Sequence, residues 1–464
     1  MSKSKKGMTV IDGGKGSGAK PNTGDWRDGL TRNRDWKVEG SLHNLMLIFE
    51  NDDRLKGLWW LNESSNQIEM TRPAPWKGGT QLEFIDADSF ELAAWLQDPA
   101  RYHMTCSDEG VLKAVIAVSR RYRRHPIREY LTALKWDGTP RVERMLVELF
   151  GAQDNNYARQ TALCFAVGAV ARVLWFDPKQ PFVGAKVDFM LVFEGEQGKR
   201  KSSALMELFG STWFVETSES PSGKDFYQVI QGCWGVEIGE MDSFTKADVT
   251  SVKTAITRRV DKFRAPYERM PRSYRRECVF AGTTNEAQYL RDPTGGRRFL
   301  PVRTEGEVRI DLIIEQRDQL WAEAVHLFGE KFQWWDLPPE AADEQAARYV
   351  GDSWEGRVEA WLDRRVTGEN RYPPRLNFSA GPIEWTTTDE VLTHAIGMDA
   401  AKHGRPEQMR VAAIMKSLLW KQERRRWPGG GRDQRWFPAS TDINDWVARA
   451  SQTQSGGGDD APDF

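Results

Sequence analysis

The sequence has few of the features that mark several large classes of protein. Its four cysteines, Cys106, Cys164, Cys233 and Cys278, are scattered without close pairs, which argues against a disulfide scaffold and a zinc knuckle. The longest apolar stretches are interrupted by charges such as Arg172 and fall short of the roughly 18 residues that a membrane span needs. The basic first residues have no apolar run behind them, so no secretory signal is expected. These absences favour a protein of the cytoplasm, which is a reducing compartment.

Net charge is also nearly absent, but charge is segregated along the chain. The 464 residues carry a formal charge of −2, whereas residues 251–300 hold 12 Lys or Arg against 5 Asp or Glu. Residues 401–440 hold 10 against 3, and the last residues are acidic. Basic patches on a nearly neutral chain are typical of surfaces that bind phosphates. The length indicates two to four domains at about 150 residues each.

The pattern of apolar residues predicts an α-rich part, an α/β part and a small C-terminal module. We interpret residues 1–25 as a flexible basic arm and residues 26–184 as an α-rich N-terminal domain. From 185 to 350, apolar runs of strand length alternate with helical segments, which predicts a parallel α/β sheet. A helix and linker at 351–383, a winged-helix-like module at 384–440 and an acidic tail at 441–464 are expected to follow.

The strongest chemical motif runs from Glu194 to Ser203 and matches a phosphate-binding loop. Backbone N–H groups of such a loop face phosphate oxygens, a lysine reaches the β- and γ-phosphates, and a hydroxyl binds Mg²⁺. Arg200 stands where such loops usually have glycine, and a bulky residue there restricts the positive φ that the position uses. The alternative is that this segment is only a glycine-rich turn on the surface. The candidate nucleotide-binding residues are Gly195, Glu196, Gln197, Gly198, Lys199, Arg200, Lys201, Ser202 and Ser203.

A second motif, residues 233–242, is an apolar run that ends in carboxylates. A nucleotide hydrolase needs a carboxylate at the end of a strand that neighbours the loop strand, where it holds Mg²⁺ and polarises the attacking water. Glu240 is our first choice for the catalytic carboxylate. Glu237, which lies deeper or on the other face, and Asp242 are further candidates for the metal site. The alternative is that all three are ordinary charges at a strand end.

A third motif, residues 276–302, combines a buried strand with polar and basic residues. Asn285 follows the strand at its carboxyl end, a position from which it can hydrogen-bond a γ-phosphate or the attacking water. Arg297 and Arg298 follow a Gly-Gly turn and suit a finger that stabilises phosphoryl-transfer charge, supplied in cis or by a neighbouring subunit. We expect one of these two arginines to form a structural ion pair instead.

Cations between these motifs, and again near the C-terminus, predict contacts with nucleic acid. Arginines interleaved with Tyr and Pro suit a groove that follows a nucleic-acid backbone, although contacts between subunits would use the same residues. Near the C-terminus, two predicted helices and an arginine-rich hairpin predict a winged helix-turn-helix that touches duplex DNA, against the alternative of a small domain packed on the core. The candidate DNA-binding residues are Lys253, Arg258, Arg259, Arg264, Arg269, Arg424, Arg425 and Arg426.

Over about residues 110–350 the sequence resembles the virulence-associated E family of phage and prophage P-loop ATPases. The resemblance rests on ordered motifs that include "KVDFMLVFEGEQGKRKSS", "VEIGEMD" and "GTTNEAQYLRDPTGGRRFLPV". This family is similar to superfamily 3 helicases and to the helicase half of poxvirus-type primase-helicases. The resemblance implies an AAA+-type core, hexameric rings and ATP-driven DNA unwinding. It further implies that Lys201 and Ser202 bind nucleotide and Mg²⁺, that Glu240 is the Walker B carboxylate and that Asn285 is sensor 1. By the same resemblance, Arg297 or Arg298 would be the arginine finger, and Lys253 would lie in a basic segment that binds DNA.

Two functions remain open from the sequence. The first is an ATP-dependent DNA helicase or translocase of phage or mobile-element replication, with ATP and Mg²⁺ as cofactors and DNA and other ring subunits as partners. The second is a DNA-binding initiator or loader that uses ATP as an assembly switch with little turnover, for which Arg200 is the motivating residue. A small-molecule kinase is a distant third, because the basic segments would then have no role.

Two further partner predictions concern the ends of the chain. The N-terminal part has no zinc-binding cysteine cluster, so we expect priming to be done by a separate primase. The C-terminal tip is acidic and ends in Phe464, which suits recruitment of single-strand-binding or other replication proteins. The alternative for this tip is a disordered tail that only adds solubility or screens the basic groove.

Overall fold

The computed structural model describes residues 24–76, 80–239, 246–264, 270–286, 289–290, 296–348, 352–363, 383–427, 432–445 and 447. The chain divides into two compact units, Met1–Lys135 with Ile230–Trp234, and Trp136–Val229 with Gly235–Phe464. The first unit thus ends at Lys135 rather than at the predicted boundary near 184. The reason is that the long helix Asn156–Leu174 packs with helices of the second unit. The predicted basic arm up to residue 23 and the acidic tail beyond 447 lie outside the described residues.

The first unit combines helices with a three-stranded sheet around its own apolar core. Strand β1 pairs antiparallel with β2 and parallel with β3. Aromatic rings fill the core, with Phe49 and Trp59 centred 4.8 Å apart. Ser41 and Ser107 begin helices α1 and α3, because their hydroxyls accept backbone N–H groups of the first turn. The elements are α1 (Leu42–Asn51), β1 (Trp59–Asn62), β2 (Ile68–Met70), α2 (Asp86–Gln97), α3 (Asp108–Ser119), β3 (Arg123–Arg124) and α4 (Pro126–Ala133).

The second unit contains a five-stranded parallel sheet, which confirms the predicted α/β class. The strand order is β10–β4–β9–β6–β5. Its elements are α5 (Met145–Glu148), α6 (Asn156–Leu174), β4 (Met190–Glu194), α7 (Lys201–Phe209), β5 (Phe214–Thr217), α8 (Lys224–Val229), β6 (Gly235–Ile238), α9 (Lys246–Thr257), β7 (Val260–Phe263), β8 (Arg272–Arg275), β9 (Val279–Thr284), β10 (Phe299–Arg303), α10 (Ile310–Gly329) and α11 (Ala341–Ala347). Strands β7 and β8 form a separate antiparallel hairpin.

Burial on both faces explains why the sheet is parallel and apolar. All five residues of β4 are buried, as expected when helices cover both sides of a sheet. Phe193 of β4 stacks on Phe150 with ring centroids 4.7 Å apart. The register pairs Glu194 with Thr284, and Ile238 with Gly282. The carboxyl ends of β4, β9 and β6 therefore meet at one edge of the sheet.

Residues 352–363, 383–427 and 432–438 share a further apolar cluster within the second unit. The predicted linker region thus contributes helix α12, whose Val358 and Leu362 belong to the same cluster as Val411 and Trp436. The elements are α12 (Glu355–Leu362), α13 (Thr388–Glu390, continued by a π-helical turn Val391–Ile396), α14 (Arg405–Ser417), β11 (Trp420–Arg426) and β12 (Arg432–Pro438). The segment between them, 364–382, lies outside the described residues.

The structure also bears on the features that the sequence lacks. All four cysteines are free thiols. Among the helices in the described ranges, none is long and apolar enough to cross a membrane.

Candidate functional site

The segment Gly195–Arg200 joins strand β4 to helix α7 at the edge of the sheet defined above. Gly195 has φ +148°, and a Cβ there would lie 2.6 Å from the hydroxyl oxygen of Thr304, so no side chain fits. Gly198 has φ +83°. Arg200 has φ +61° and ψ +27°, which is the left-handed region, directly before the first residue of α7. Arg200 therefore adopts the positive φ of this loop position, although a residue with a side chain rarely does so.

Lys201, the first residue of α7, directs its ammonium group at the loop. The Lys201 ammonium donates to the carbonyl oxygens of Gly195 at 2.6 Å and Glu196 at 3.1 Å. Lys201 is only 7% exposed, so the loop encloses its side chain. Glu196, Gln197 and Arg200 are exposed, whereas Lys199, Ser202 and Ser203 are half-buried.

Behind the loop, a buried carboxylate receives hydroxyl groups from two neighbouring elements. The Ser202 hydroxyl donates to Glu237 Oε1 at 2.8 Å, and the Thr283 hydroxyl donates to the same oxygen at 2.9 Å. Glu237 is 0% exposed. Its other oxygen, Oε2, is buried and has no hydrogen-bond donor among the described residues. Burial raises the pKa of Glu237, because desolvation disfavours the charged carboxylate, and the two hydroxyls offset this in part.

The position of Glu237 differs from the arrangement that the sequence predicted. The acidic strand β6 does not neighbour the loop strand β4, because β9 lies between them. Glu237 nevertheless reaches Ser202, since its side chain extends across the end of β9 at Thr283. Glu240 and Asp242, the other two acidic candidates, lie outside the described residues. Within the described ranges, no group of three or more His, Cys, Asp or Glu side chains is arranged to hold a metal ion.

Asn285 and the loop line the same cavity. Asn285 is exposed and directly follows β9. The cavity has a volume of about 610 Å³ and is also bordered by Gly195, Glu196, Lys199 and Arg348. This is within the usual range of small-ligand sites, about 300–1,000 Å³. The strand order thus brings the third sequence motif beside the first.

Arg297 and Arg298 lie at the opposite edge of the sheet from the loop. They precede β10, whose first residue Phe299 pairs with Met190 and whose last residue Arg303 pairs with Glu194. At about 3.3 Å per residue, these four steps alone separate the two edges by about 13 Å. Arg297 is exposed and Arg298 is half-buried. Neither arginine is therefore placed to reach the loop of its own chain.

Comparison with known proteins identifies the domain that contains this site. The family model of the virulence-associated protein E-like domain matches residues 131–350. Residues 131–350 are thus similar to the virulence-associated protein E-like domain. A comparison with curated proteins gives no match.

Among solved structures, the chain is similar to the C-terminal region of NrS-1 in its apo form, residues 305–718. One structure of that region is 11% identical over 82% of this chain and 95% of its own, with a TM-score of 0.41. Another, the A form, is 13% identical over 66% of this chain and 75% of its own, with a TM-score of 0.38.

The matched segment contains an ion pair between a buried carboxylate and a half-buried arginine that the sequence analysis missed. Arg348, just after α11, donates to both carboxylate oxygens of Glu194, each at 2.9 Å. The Tyr289 hydroxyl donates to the same carboxylate at 3.0 Å, and Arg348 also pairs with Glu344. Glu194 is the residue immediately before the loop. No local signal reveals this contact, because its two partners are 154 residues apart in the chain.

Only some of the cations predicted to bind nucleic acid lie on the surface of this domain. Arg258 and Arg264 are exposed. Lys253 is 7% exposed on α9, so its predicted place on a DNA surface is not supported by its position. Arg259 is half-buried, donates to the Gly184 carbonyl at 2.7 Å and lies over the Trp175 ring. Arg269 lies outside the described residues.

Two further arginines of this domain have structural contacts that position the β7–β8 hairpin. Arg276 is buried and pairs with Asp261 through two contacts of 2.5 Å. Arg172 is 1% exposed and donates to four backbone carbonyls, including those of Val187 and Ile256. Burial lowers the pKa of Arg172 to about 9. These contacts tie the base of the hairpin to α6 and to the segment that leads into β4.

Proposed function

We propose that this protein is an ATP-driven DNA helicase or translocase that acts in phage or mobile-element replication. The observation that carries the proposal is the cluster of Ser202, Glu237 and Thr283 behind a glycine-rich loop. The cluster combines a hydroxyl at the start of α7 with a buried carboxylate, and the adjacent Lys201 ammonium binds the loop, all at the carboxyl edge of a parallel sheet. Ligands of open α/β sheets bind at this edge.

The loop is suited to polyphosphate by its own groups. Helix α7 begins at Lys201, so its first N–H groups and the positive end of its dipole face the loop. In this structure the Lys201 ammonium binds two loop carbonyls. We infer that a bound phosphate replaces these carbonyls as its partner, because a charged acceptor forms the stronger hydrogen bond.

Ser202 and Glu237 are the residues that would hold Mg²⁺. Their fit is supported by the buried Glu237 Oε2, which has no donor among the described residues and is thus available to a cation or its water. Bound Mg²⁺ would neutralise charge on the phosphates, and it is commonly held by one or two carboxylates together with substrate oxygens. Asn285, which faces the adjoining cavity, would hydrogen-bond the terminal phosphate or the attacking water.

The position of Arg297 and Arg298 supports hydrolysis between subunits. Because they lie at the far edge of their own sheet, a role in stabilising transferred phosphate requires a neighbouring subunit. Head-to-tail contacts of this kind generate a ring when the rotation between neighbouring subunits closes. We therefore propose a ring, with a hexamer as the expected size, in which each subunit completes the next site.

The β7–β8 hairpin is the proposed DNA contact of this ring. Arg258 and Arg264 flank β7 and are exposed, and cations that face a nucleic-acid backbone bind its phosphates without sequence preference. The buried Arg172 and Arg276 contacts would transmit movement of the sheet to the hairpin.

The test is the rate of ATP hydrolysis with and without single-stranded or forked DNA. We expect DNA-stimulated turnover in the wild type and a loss of about 100-fold or more in Lys201→Ala, the range for removal of one preorganised donor. Lys186→Ala is the matched control, because Lys186 is an exposed lysine of the same domain with 66% of its side chain accessible.

The same assay decides between this function and the initiator or loader. ATP binding that promotes assembly on DNA without stimulated turnover in the wild type would contradict the helicase and support an ATP assembly switch. Equal DNA-stimulated turnover in wild type and Lys201→Ala would contradict the helicase, and equal ATP-dependent assembly on DNA in the two proteins would contradict the assembly switch, because each function requires this lysine.

A further inference from the structure

The C-terminal module has an element order that displays one helix and one hairpin together. Helix α12 is followed by the extended residue Thr386, helices α13 and α14, and the β11–β12 hairpin. Thr386 pairs with Trp436 through two backbone hydrogen bonds of 2.7 and 3.0 Å, which form an isolated antiparallel bridge beside the hairpin. Trp436 is fully buried in the cluster formed by the helices.

Helix α14 has a buried face and an exposed face of different character. Val411, Ile414 and Met415 are buried in the cluster. The exposed residues are Arg405, Pro406, Gln408, Met409, Ala413 and Lys416, of which Met409 is 64% exposed. The only acidic residue of the helix, Glu407, is half-buried. The exposed face is thus cationic at both ends and apolar in the middle.

Alternation along β11 separates exposed arginines from structural ones. Trp420, which packs on the helical cluster, shares a face with Arg424 and Arg426, because side chains of a strand alternate. Arg424 and Arg426 are both exposed. On the other face Arg425 lies 4.9 Å from the Trp427 ring and donates to Ile443 O at 2.7 Å.

Two further arginines of the module are also held by the fold. Arg435 lies 3.7 Å from the Trp385 ring and 5.0 Å from the Trp427 ring. Arg410, on α14, pairs with Asp352 and lies 3.8 Å from the Trp354 ring. Arg405 and Lys416 on α14 and Arg424 and Arg426 on the hairpin are among the exposed cations of the module.

We propose that this surface binds duplex DNA, with the exposed face of α14 in the major groove and Arg424 and Arg426 on backbone phosphates beside it. A helix with side chains is about 10–12 Å wide and fits a groove of about 12 Å. Arg405 and Gln408 are types that pair with guanine and adenine edges, and Met409 and Ala413 suit thymine methyl groups. The deep, narrow major groove of A-form RNA does not admit a helix, so the surface favours DNA.

This site is separate from the nucleotide loop, so its binding does not depend on the proposed ATPase. The experiment uses the full chain carrying Lys201→Ala and measures duplex affinity by fluorescence anisotropy over a range of salt, without nucleotide. Arg424→Ala with Arg426→Ala should weaken binding on the order of 10-fold and reduce the salt slope by about 2, since each phosphate contact contributes about 0.9. Met409→Glu, which places an anion in the groove, should weaken binding with little change in thermal stability.

The control pair is Lys113→Ala with Arg120→Ala, two exposed cations of the first unit. It should leave affinity and slope unchanged. The proposal is overturned if Arg424→Ala with Arg426→Ala changes neither the duplex affinity nor the salt slope, or if the control pair loses as much affinity as this pair. It is also overturned if Met409→Glu binds duplex DNA as tightly as the Lys201→Ala chain without this change. Binding of double-stranded RNA as tightly as DNA, with equal loss in Met409→Glu, would overturn the groove assignment. Because turnover is not measured, failure here leaves the ATPase test unaffected.

Discussion

The Ser202 hydroxyl donates a 2.8 Å hydrogen bond to Glu237, although β4, the strand that leads through the loop to Ser202, and β6, the strand of Glu237, are separated by β9. The contact is possible because Thr283, at the end of β9, donates to the same oxygen from between them. The proposed metal site thus draws its groups from all three chemical motifs of the sequence.

The raised pKa of Glu237 predicts how stability depends on pH. The folded protein keeps this carboxyl protonated to a higher pH than the unfolded chain, whose ordinary value is 4.5. The folded state then binds more protons, so this group's contribution to stability falls as pH rises from about 4.5 through the folded pKa. Without nucleotide, Glu237→Gln should be more stable than wild type at neutral pH and nearly equal below pH 4.5.

Urea unfolding at several pH values measures this difference. Hydrolysis of ATP should fall about 100-fold or more in the same variant, because glutamine cannot supply the charge for Mg²⁺. Parallel stability curves for wild type and Glu237→Gln across the whole pH range would rule out the burial argument.

The left-handed backbone at Arg200 predicts an effect of glycine that alanine does not share. A non-glycine residue with this φ costs about 1–2 kcal/mol. Arg200→Ala removes the charge but keeps the strain, whereas Arg200→Gly removes both. We expect the free energy of unfolding of Arg200→Gly to exceed that of Arg200→Ala by about 1 kcal/mol. The gain is smaller than the full strain energy, because glycine has more conformational freedom in the unfolded chain. Equal stability of the two variants would show that the loop relaxes without strain.

The ion pair of the buried Glu194 carboxylate with Arg348 predicts strong coupling between two residues beside the loop. Arg348→Met leaves the Glu194 carboxylate buried without its main partner, which should cost about 3 kcal/mol or more. Glu194→Gln with Arg348→Met should be less destabilised than the sum of the single variants, because neither charge is then left unpaired. Tyr289→Phe, which removes one hydrogen bond, should cost about 1 kcal/mol. Additive effects in chemical denaturation would contradict the coupling.

The placement of Arg297 and Arg298 predicts complementation between defective subunits. Lys201→Ala subunits retain the arginines, and Arg297→Ala with Arg298→Ala subunits retain the loop, so an equal mixture should regain activity at about a quarter of its interfaces. A mixture of Lys201→Ala with Glu237→Gln is the control and should regain none, because both changes damage the same side of the interface. Absence of recovery in the first mixture, although the subunits assemble, would place the arginines outside the reaction.

The sequence by itself determined the parts of the site whose residues are contiguous. Gly195, Lys201 and Ser202 follow an apolar run and precede an amphipathic one, so a strand, a loop and a helix are specified by neighbours within about ten positions. The parallel sheet followed in the same way, because apolar runs of strand length alternate with helical segments.

Only the tertiary structure decided which distant side chains meet and which are withdrawn from the surface. Strand order placed Glu237 at Ser202, and the packing of α11 against β10 placed Arg348 at Glu194, contacts that span 35 and 154 residues. Packing also buried Lys253 on α9 and stacked Arg425 on Trp427, although a charged residue in a basic segment reads in sequence as exposed. The physical reason is that burial depends on what packs against a residue, and register and stacking between remote segments are fixed by the folded core rather than by local pattern.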